Sequence, residues 1–434
     1  MSLFSIWPQF GFRENPYDND RLPGNDVGDR LLVGRDAEVA ATQRAIASAG
    51  THPGVEGPAG IGKTSMLAVA CYRMLVRSLE AADGTLFVPA DSFFQVGESE
   101  QDFVDEVFRT VAQTLINHAD AFRRVALEVP DVEGLNRWLN SPQYRTGSAS
   151  AAGFGLGGGS APNTSEGFTR SGFPEKVKTE LRKCFPATGA GAVICVLDNL
   201  EILQTSHRAR QTLEALRLPV FEVQGLRWVL AGSRGIVSRA RSDRLSGFFA
   251  PPMPIGPLSD EAAIELTRRR LVEYGDESAY APVPPEAFDF LYRALHSNLR
   301  DALAYAQQFA DWMYAGYIAA GVDLPPEGER QVLLENWLTY QAETAQNAAT
   351  RVQPRVWHFF DQLARDGGRC RASDYEHYGF NTQQQMGSAV TGLANVNLLI
   401  RETDPEHASR HVHSITPTGW LVYFHRNGYN AATS

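Results

Sequence analysis

Apolar residues follow two different rhythms along this chain, and the change falls near residue 259. Upstream, short continuous apolar runs dominate: Gly191-Ala-Val-Ile-Cys-Val-Leu197 and Leu226-Arg-Trp-Val-Leu-Ala231. Runs of that length, with Arg227 as the one polar interruption, read as strands buried on both faces, and Thr85-Leu-Phe-Val-Pro-Ala90 reads as another. Between them Val104, Val107, Phe108, Val111 and Leu115 recur at helical spacing. A helix is expected over about 37–49 with Asp36 as N-cap, and another from Lys63 to about Glu80. Strands alternating with helices predict a parallel sheet covered by helices on both faces.

From Ser259 onward the period is helical, with elements expected at about 260–274, 285–297, 299–320 and 329–349. Ser259 is suited to an N-cap, and Asp260 and Glu261 to the positive end of the first helix. The last segment, about 352–426, predicts three short helices and two strands. Trp357, Phe359, Phe360 and Leu363 anchor the first helix, Ser373-Asp-Tyr375 opens the second, and Thr382 caps a third bearing Gln383, Gln384, Gln385, Ser388 and Thr391. Strands Leu398-Leu-Ile-Arg401 and His411-Val-His-Ser-Ile415, with a polar tip between them, form the wing of a winged helix. Residues 1–30 read as an extended arm whose aromatics, Trp7, Phe10, Phe12 and Tyr17, dock on a neighbouring surface. Gly147 to Gly172 is dominated by Gly, Ser and Ala and reads as a flexible loop, the alternative being a hairpin that touches a partner or DNA.

The chemistry concentrates in Gly57, Pro58, Ala59, Gly60, Ile61, Gly62, Lys63 and Thr64, followed by Ser65, which match the phosphate-binding loop G-x-x-x-x-G-K-[ST]. The chain has 40 Lys and Arg together, of which only Lys63, Lys176, Lys178 and Lys183 are lysines, so a lysine in this frame is not chance background. The glycines let several backbone N–H groups face one anion, and the following helix adds its positive end. Lys63 is expected on the β- and γ-phosphates, and the Thr64 hydroxyl on Mg²⁺. A nucleotide triphosphate with magnesium is the ligand this implies. Leu197-Asp198-Asn199-Leu200-Glu201 has the form of a Walker B motif, with Asp198 at the end of a buried strand as the second metal-site residue. The position after Asp198, where many ATPases place a glutamate, is Asn199. Glu201 is the candidate base two residues on, unless it is a plain helix-start carboxylate. Gly232-Ser-Arg234 follows the next strand, where Arg234 can approach the γ-phosphate or lie on the surface. Arg239, Arg241 and Arg244 form either a solvated face or, at Arg244, a finger for a neighbouring subunit's site.

Composition narrows the partners. The net charge of −10 gives no global attraction to nucleic acid. Over 351–434, eight Arg and no Lys stand against seven Asp and Glu, a weak electrostatic footprint for DNA. Cys71, Cys184, Cys195 and Cys370 are dispersed, as in a reducing cytoplasm, and no apolar run approaches a membrane span. A soluble cytoplasmic protein is expected. His411 and His413 share a strand face without a nearby third ligand, and so read as structural.

Five features in order resemble the initiator, origin-recognition branch of the AAA+ ATPases: Val33-Gly-Arg-Asp-Ala-Glu38, the P-loop, Asp198, Arg244-Leu-Ser-Gly247 and Asn298-Leu-Arg-Asp301. The resemblance implies a parallel-sheet ATPase core over 31–258, a helical lid over 259–349 and a winged helix over 350–434. It places Val33 and Arg35 near adenine, makes Arg244 the finger and makes Arg300 the lid's sensor arginine. The chain departs from that family in its Asp-Asn Walker B. Ser233-Arg234 resembles the signalling STAND NTPases, and Ile255-Gly-Pro-Leu258, where Pro257 would pack on the base, occurs in both groups. The activity implied is that of an ATPase converting ATP and water to ADP and phosphate. Nucleotide state would control self-assembly and, through about 373–413, binding to duplex DNA. The alternative is a STAND-like switch whose winged helix meets a protein partner or autoinhibits.

Overall fold

The computed structural model describes residues 5–48, 50–97, 99–140, 144–146, 159–161, 172–203, 205–233, 235–241, 244–404 and 407–428. Helices α1 (Asp26–Leu31) and α2 (Asp36–Ala47) precede strand β1 (Gly54–Glu56) and helix α3 (Lys63–Ala81). Next come β2 (Leu86–Pro89), α4 (Glu100–Asn117), α5 (Ala119–Arg124), α6 (Val132–Asn140), β3 (Tyr144–Thr146) and β4 (Gly159–Ala161). After them lie α7 (Phe173–Cys184), β5 (Gly191–Leu197), α8 (Ser206–Leu216), β6 (Leu226–Gly232), α9 (Ile236–Ala240) and β7 (Met253–Pro254).

Five strands form one parallel sheet in the order β2-β5-β6-β1-β7. Every residue of β5 is buried, and its side chains alternate between two cores as period two requires. Val193, Cys195 and Leu197 join Trp228 and Leu230 against α4, α7 and α8, whereas Ile194 and Val196 join Val229 and Ala231 against α3. Both faces are therefore dry, which explains the uninterrupted apolar runs. The strand ends carrying the P-loop and Asp198 flank β6 on the carboxyl edge of the sheet, where open α/β sheets bind ligands.

Beyond the sheet, α10 (Asp260–Tyr274), α11 (Pro285–Ala294), α12 (Leu299–Met313) and α13 (Arg330–Ala348) share a third core. Ser259 caps α10 through the Ala262 N–H, at 3.2 Å. Trp7, Phe10, Phe12 and Tyr17 are buried in that same core, and the Tyr17 hydroxyl both donates to Val283 O (2.7 Å) and accepts from Val283 N (3.0 Å). The segment then crosses to α3: Leu22 N donates to Ser65 Oγ at 3.1 Å, and Arg73 pairs with Asp29 and Asp36. It is not extended throughout. Asn25 caps the Gly28 N–H and starts α1, and Trp7–Phe10 makes one turn of 3-10 helix.

The C-terminal elements are α14 (Pro354–Arg365), β8 (Arg369–Arg371), α15 (Gln383–Asn395), β9 (Leu399–Asp404), β10 (His407–Ile415) and α16 (Pro417–Asn427). Strands β8, β10 and β9 form an antiparallel sheet, and α14, α15 and α16 share one apolar core with it. The second expected helix is only a 3-10 turn, Ala372–Asp374, followed by turns. Gly379, at φ +71°, ends the segment before an α-helix can develop. Of the Gly-rich stretch 147–172, only 159–161 and Gly172 are described: β4 within it pairs antiparallel with β3, which precedes it, and the rest lies outside the described residues.

Candidate functional site

The P-loop connects β1 to α3, and α3 begins at Lys63 because Gly62 stands just before it at φ +90°. That conformation is disfavoured with a Cβ, so glycine sets the helix start here. Lys63 is 8% exposed, and its Nζ donates to Gly57 O (2.9 Å) and Pro58 O (2.8 Å). Burial depresses its pKa, against the upward pull of Glu201 and Asp198; the Arg300 charge adds to the depression. The ammonium thus sits within the field of Walker B, folded back on loop carbonyls that an incoming phosphate can replace. Thr64 Oγ1 donates to Asp198 Oδ2 at 2.9 Å, which brings two hard oxygen donors from distant parts of the chain to one point. Such a pair fits a small divalent cation that retains most of its waters, as Mg²⁺ does.

Asn199 departs from the expected glutamate for a backbone reason. It has φ +57°, and its N–H donates to Asp198 Oδ1 at 2.9 Å. Asn tolerates the left-handed region better than Glu does. Two residues on, Glu201 Oε2 accepts from Ser233 N at 3.0 Å, tying the end of β5 to the end of β6. Both residues line a cavity of about 640 Å³ that opens beside Pro58, Ala59 and Ile61 of the P-loop. Pro257 lines it as well. Arg234 lies outside the described residues. Arg244 is exposed and is not part of the cavity wall.

The start of α12 rests directly on the P-loop. Arg300 N donates to Gly60 O at 3.0 Å, and Asn298, the N-cap of α12, donates to Ala59 O at 3.4 Å. A Cβ on Gly60 (φ +81°) would come within 2.3 Å of Asn298 Oδ1, so glycine is required for this approach. The Arg300 side chain is exposed while its charge is felt at Lys63. The preceding helix, expected to reach 297, ends at Ala294 because His296 and Ser297 both adopt φ +54° to turn the chain back. Arg35 is buried and donates to Glu38 Oε1 (3.0 Å), Ile61 O (3.1 Å) and Gly256 O (2.7 Å). It clamps the P-loop to the segment before Pro257, whereas neither Arg35 nor Val33 belongs to the cavity wall; Val33 packs on the α10–α13 core. Ser65 holds the N-terminal segment.

No sequence signal announced the far wall of the cavity. It comes from the C-terminal sheet: Gly367, Gly368 and Arg369 around the start of β8, Glu402 and Thr403 on β9, and Ser414 on β10. Away from that wall, Gln383, Gln384, Gln385, Ser388 and Thr391 of α15 are exposed and none lines the cavity. The nearby arginines are partly engaged, Arg369 with Glu402 and Arg371 with Asp404. His413 is largely buried, with its pKa lowered chiefly by burial. Among the described residues no group of three or more His, Cys, Asp or Glu converges on a metal. No helix among them is long and apolar enough to cross a membrane.

No protein-family model matches the chain, and no curated protein matches it in sequence. Solved structures do match in overall form. The chain is similar to the Aeropyrum pernix ORC1 protein, solved in complex with DNA, at 13% identity and a TM-score of 0.47, over 96% of this chain and 97% of that one. The ADP form of the Aeropyrum pernix ORC2 protein matches at 12% identity and a TM-score of 0.46, over 98% and 100%. A Walker-type ATPase of Pyrococcus abyssi, paby2304, matches at 13% identity and a TM-score of 0.45, over 94% and 99%.

Proposed function

We propose that this chain is an AAA+-type ATPase that binds ATP with magnesium and uses its nucleotide state to control its lid, its self-assembly and the C-terminal winged helix. The observation that carries this reading is the convergence of Thr64 with the buried Lys63 and Asp198 at the carboxyl edge of a parallel sheet, with Thr64 Oγ1 and Asp198 Oδ2 2.9 Å apart. Mg²⁺, when bound there, neutralises phosphate charge and orients the terminal phosphate. Lys63 exchanges its carbonyl partners for phosphate oxygens. Glu201 orients the attacking water from the strand end it shares with Ser233, and the absence of a carboxylate at 199 makes turnover slow. Arg300, carried on the helix that touches Gly60, responds to the nucleotide from the lid, and Arg244 reaches a neighbouring subunit's site. Because a ligand shifts an equilibrium only by its differential affinity for the two states, these terminal-phosphate contacts carry the switch.

The Gln, Ser and Thr side chains along α15 support duplex DNA as the partner of the C-terminal segment, through base edges in the major groove. The second reading, a STAND-like switch with a protein partner, is favoured by the pairing of Arg369 and Arg371 with carboxylates, which leaves few cations for phosphates. ATP turnover by the purified chain, with and without duplex DNA, separates the two. Stimulation by DNA that disappears in Arg244→Ala supports assembly on DNA with a finger acting between subunits. Slow turnover indifferent to DNA supports the protein-partner switch, and no nucleotide binding at all overturns both.

A further inference from the structure

The cavity beside the P-loop has two walls that are far apart in sequence. One carries Pro58 and Ala59 of the P-loop together with Ser233 and Glu201, the proposed base, at the strand ends. The other is the C-terminal sheet, and its contribution includes one strong cation. Among the described residues Arg369 is the only Lys or Arg in the cavity wall. At about 640 Å³ the cavity is of the size that holds a nucleotide-scale ligand.

Arg369 is held firmly at its backbone and loosely at its tip. Gly368, at φ +75°, packs so tightly that a Cβ would lie 2.4 Å from Trp420 Cζ2. The Trp420 ring in turn stacks on His296, with centroids 3.9 Å apart and planes 6° from parallel. His296 belongs to the turn leading into Asn298 and Arg300, which touch Ala59 and Gly60. The start of β8 is thereby fixed over the P-loop through ring contacts. The side chain of Arg369 is 51% exposed, and it donates to Glu402 at 3.3 Å, a long contact for a charged pair. Glu402 has a second donor in Ser414 Oγ at 3.0 Å, so it keeps a hydrogen bond when the guanidinium leaves.

We infer that Arg369 is a ligand-binding residue of the nucleotide site, donating to the terminal phosphate of a nucleoside triphosphate in exchange for Glu402. The inference rests on the nucleotide reading above and adds to it a contact from the C-terminal segment within the same chain. A guanidinium meets a phosphate through a planar fork of donors, and the triphosphate offers more charge than one carboxylate. The diphosphate lacks the group that Arg369 reaches. The C-terminal domain is therefore drawn onto the site by the triphosphate and held less firmly with the diphosphate.

Isothermal titration of the full-length chain with ADP and with a non-hydrolysable ATP analogue tests this. Arg369→Ala is expected to weaken the analogue about tenfold or more while leaving ADP within about twofold, the loss of one charge-assisted bond set. Glu402→Gln, which weakens the competing partner, is expected to tighten the analogue a few-fold without affecting ADP. Lys63→Ala serves as the separate check on the site: if it binds both nucleotides like wild type, the P-loop assignment falls. If Lys63→Ala loses both nucleotides but Arg369→Ala keeps the wild-type ratio of analogue to ADP affinity, the Arg369 assignment is overturned alone. An equal loss of both nucleotides in Arg369→Ala also overturns it.

Discussion

Replacing Gly60 by alanine tests how tightly the lid helix sits on the P-loop. The backbone at Gly60 has φ +81°, so a Cβ there carries a conformational penalty of about 1–2 kcal/mol. The new methyl would also stand 2.3 Å from Asn298 Oδ1 and 3.1 Å from Arg300 Cβ. The first contact is too short to survive, and the Asn298 oxygen must move. That oxygen caps α12 by accepting from Asp301 N at 3.4 Å, and a lost cap costs about 1 kcal/mol. Withdrawal of the helix further breaks the Arg300 N to Gly60 O hydrogen bond, a net loss of about 1 kcal/mol. Gly60→Ala should therefore destabilise by roughly 3–4 kcal/mol, summing these contributions. The decisive measurement is a double-mutant cycle with Asn298→Ala, read by equilibrium urea unfolding. Once the oxygen is gone, the cap cannot be lost twice and the helix need not withdraw, so the double variant should recover about 1–2 kcal/mol over additivity. Additivity within about 0.5 kcal/mol would refute the argument that Asn298 is what a side chain at position 60 meets.

Three further outcomes are expected. Tyr17→Phe leaves the buried Val283 N–H and C=O without their partner and should cost about 2–4 kcal/mol in urea unfolding; a loss below about 1 kcal/mol would mean that water replaces the hydroxyl. His52 is buried, accepts from Trp228 N on Nδ1 and contacts Phe221 O through Nε2, and burial lowers its pKa to about 4. Its folded pKa is below the unfolded value of about 6.5, so the folded state binds fewer protons. The stability it contributes is complete above pH 6.5 and declines as pH falls toward 4, by about 3 kcal/mol in all. His52→Gln should flatten the stability–pH slope between about pH 6 and 4.5, and an unchanged slope would place the titrating group elsewhere. Glu201→Gln retains an oxygen for Ser233 N yet removes the base. Turnover should fall about 10²-fold or more at unchanged triphosphate affinity, and undiminished turnover would remove Glu201 from the hydrolytic step.

The parts legible in the sequence are those whose causes are local. Apolar runs, broken in β6 only by the partly buried Arg227, announced β5 and β6, because burial on both faces leaves little room for polar alternation there. Lys63 and Asp198 stood out because phosphate chemistry constrains their neighbours within a few positions. Strands β7 and β8 are two and three residues long and carry no period of their own. Asn199 reads as a defective catalytic position in sequence, whereas its φ of +57° gives it a conformational reason. The far wall of the cavity was illegible for a different cause: Arg369 meets Ala59, Glu201 and Asn298 only through tertiary packing, and nothing near it in sequence points to them. Arg35, singled out by resemblance as a neighbour of the base, donates to the carbonyls of Ile61 and Gly256, contacts that nothing near it in sequence announced.

The burial of Tyr17 against Val283 has a consequence for how the chain is made. The two residues are 266 positions apart, so the aromatic arm leaves the ribosome long before the helices that cover it exist. At about 5–20 residues per second the wait is roughly 15–50 s, long compared with hydrophobic collapse. Throughout that interval Trp7, Phe10, Phe12 and Tyr17 are apolar groups without their native partners. The sheet can close around Trp228 first, while the helical cluster must recover Trp7, Phe10, Phe12 and Tyr17 to complete itself. Synthesis thus runs from amino to carboxyl end, but the core that holds Trp7, Phe10, Phe12 and Tyr17 closes only after the residues of the sheet have been made.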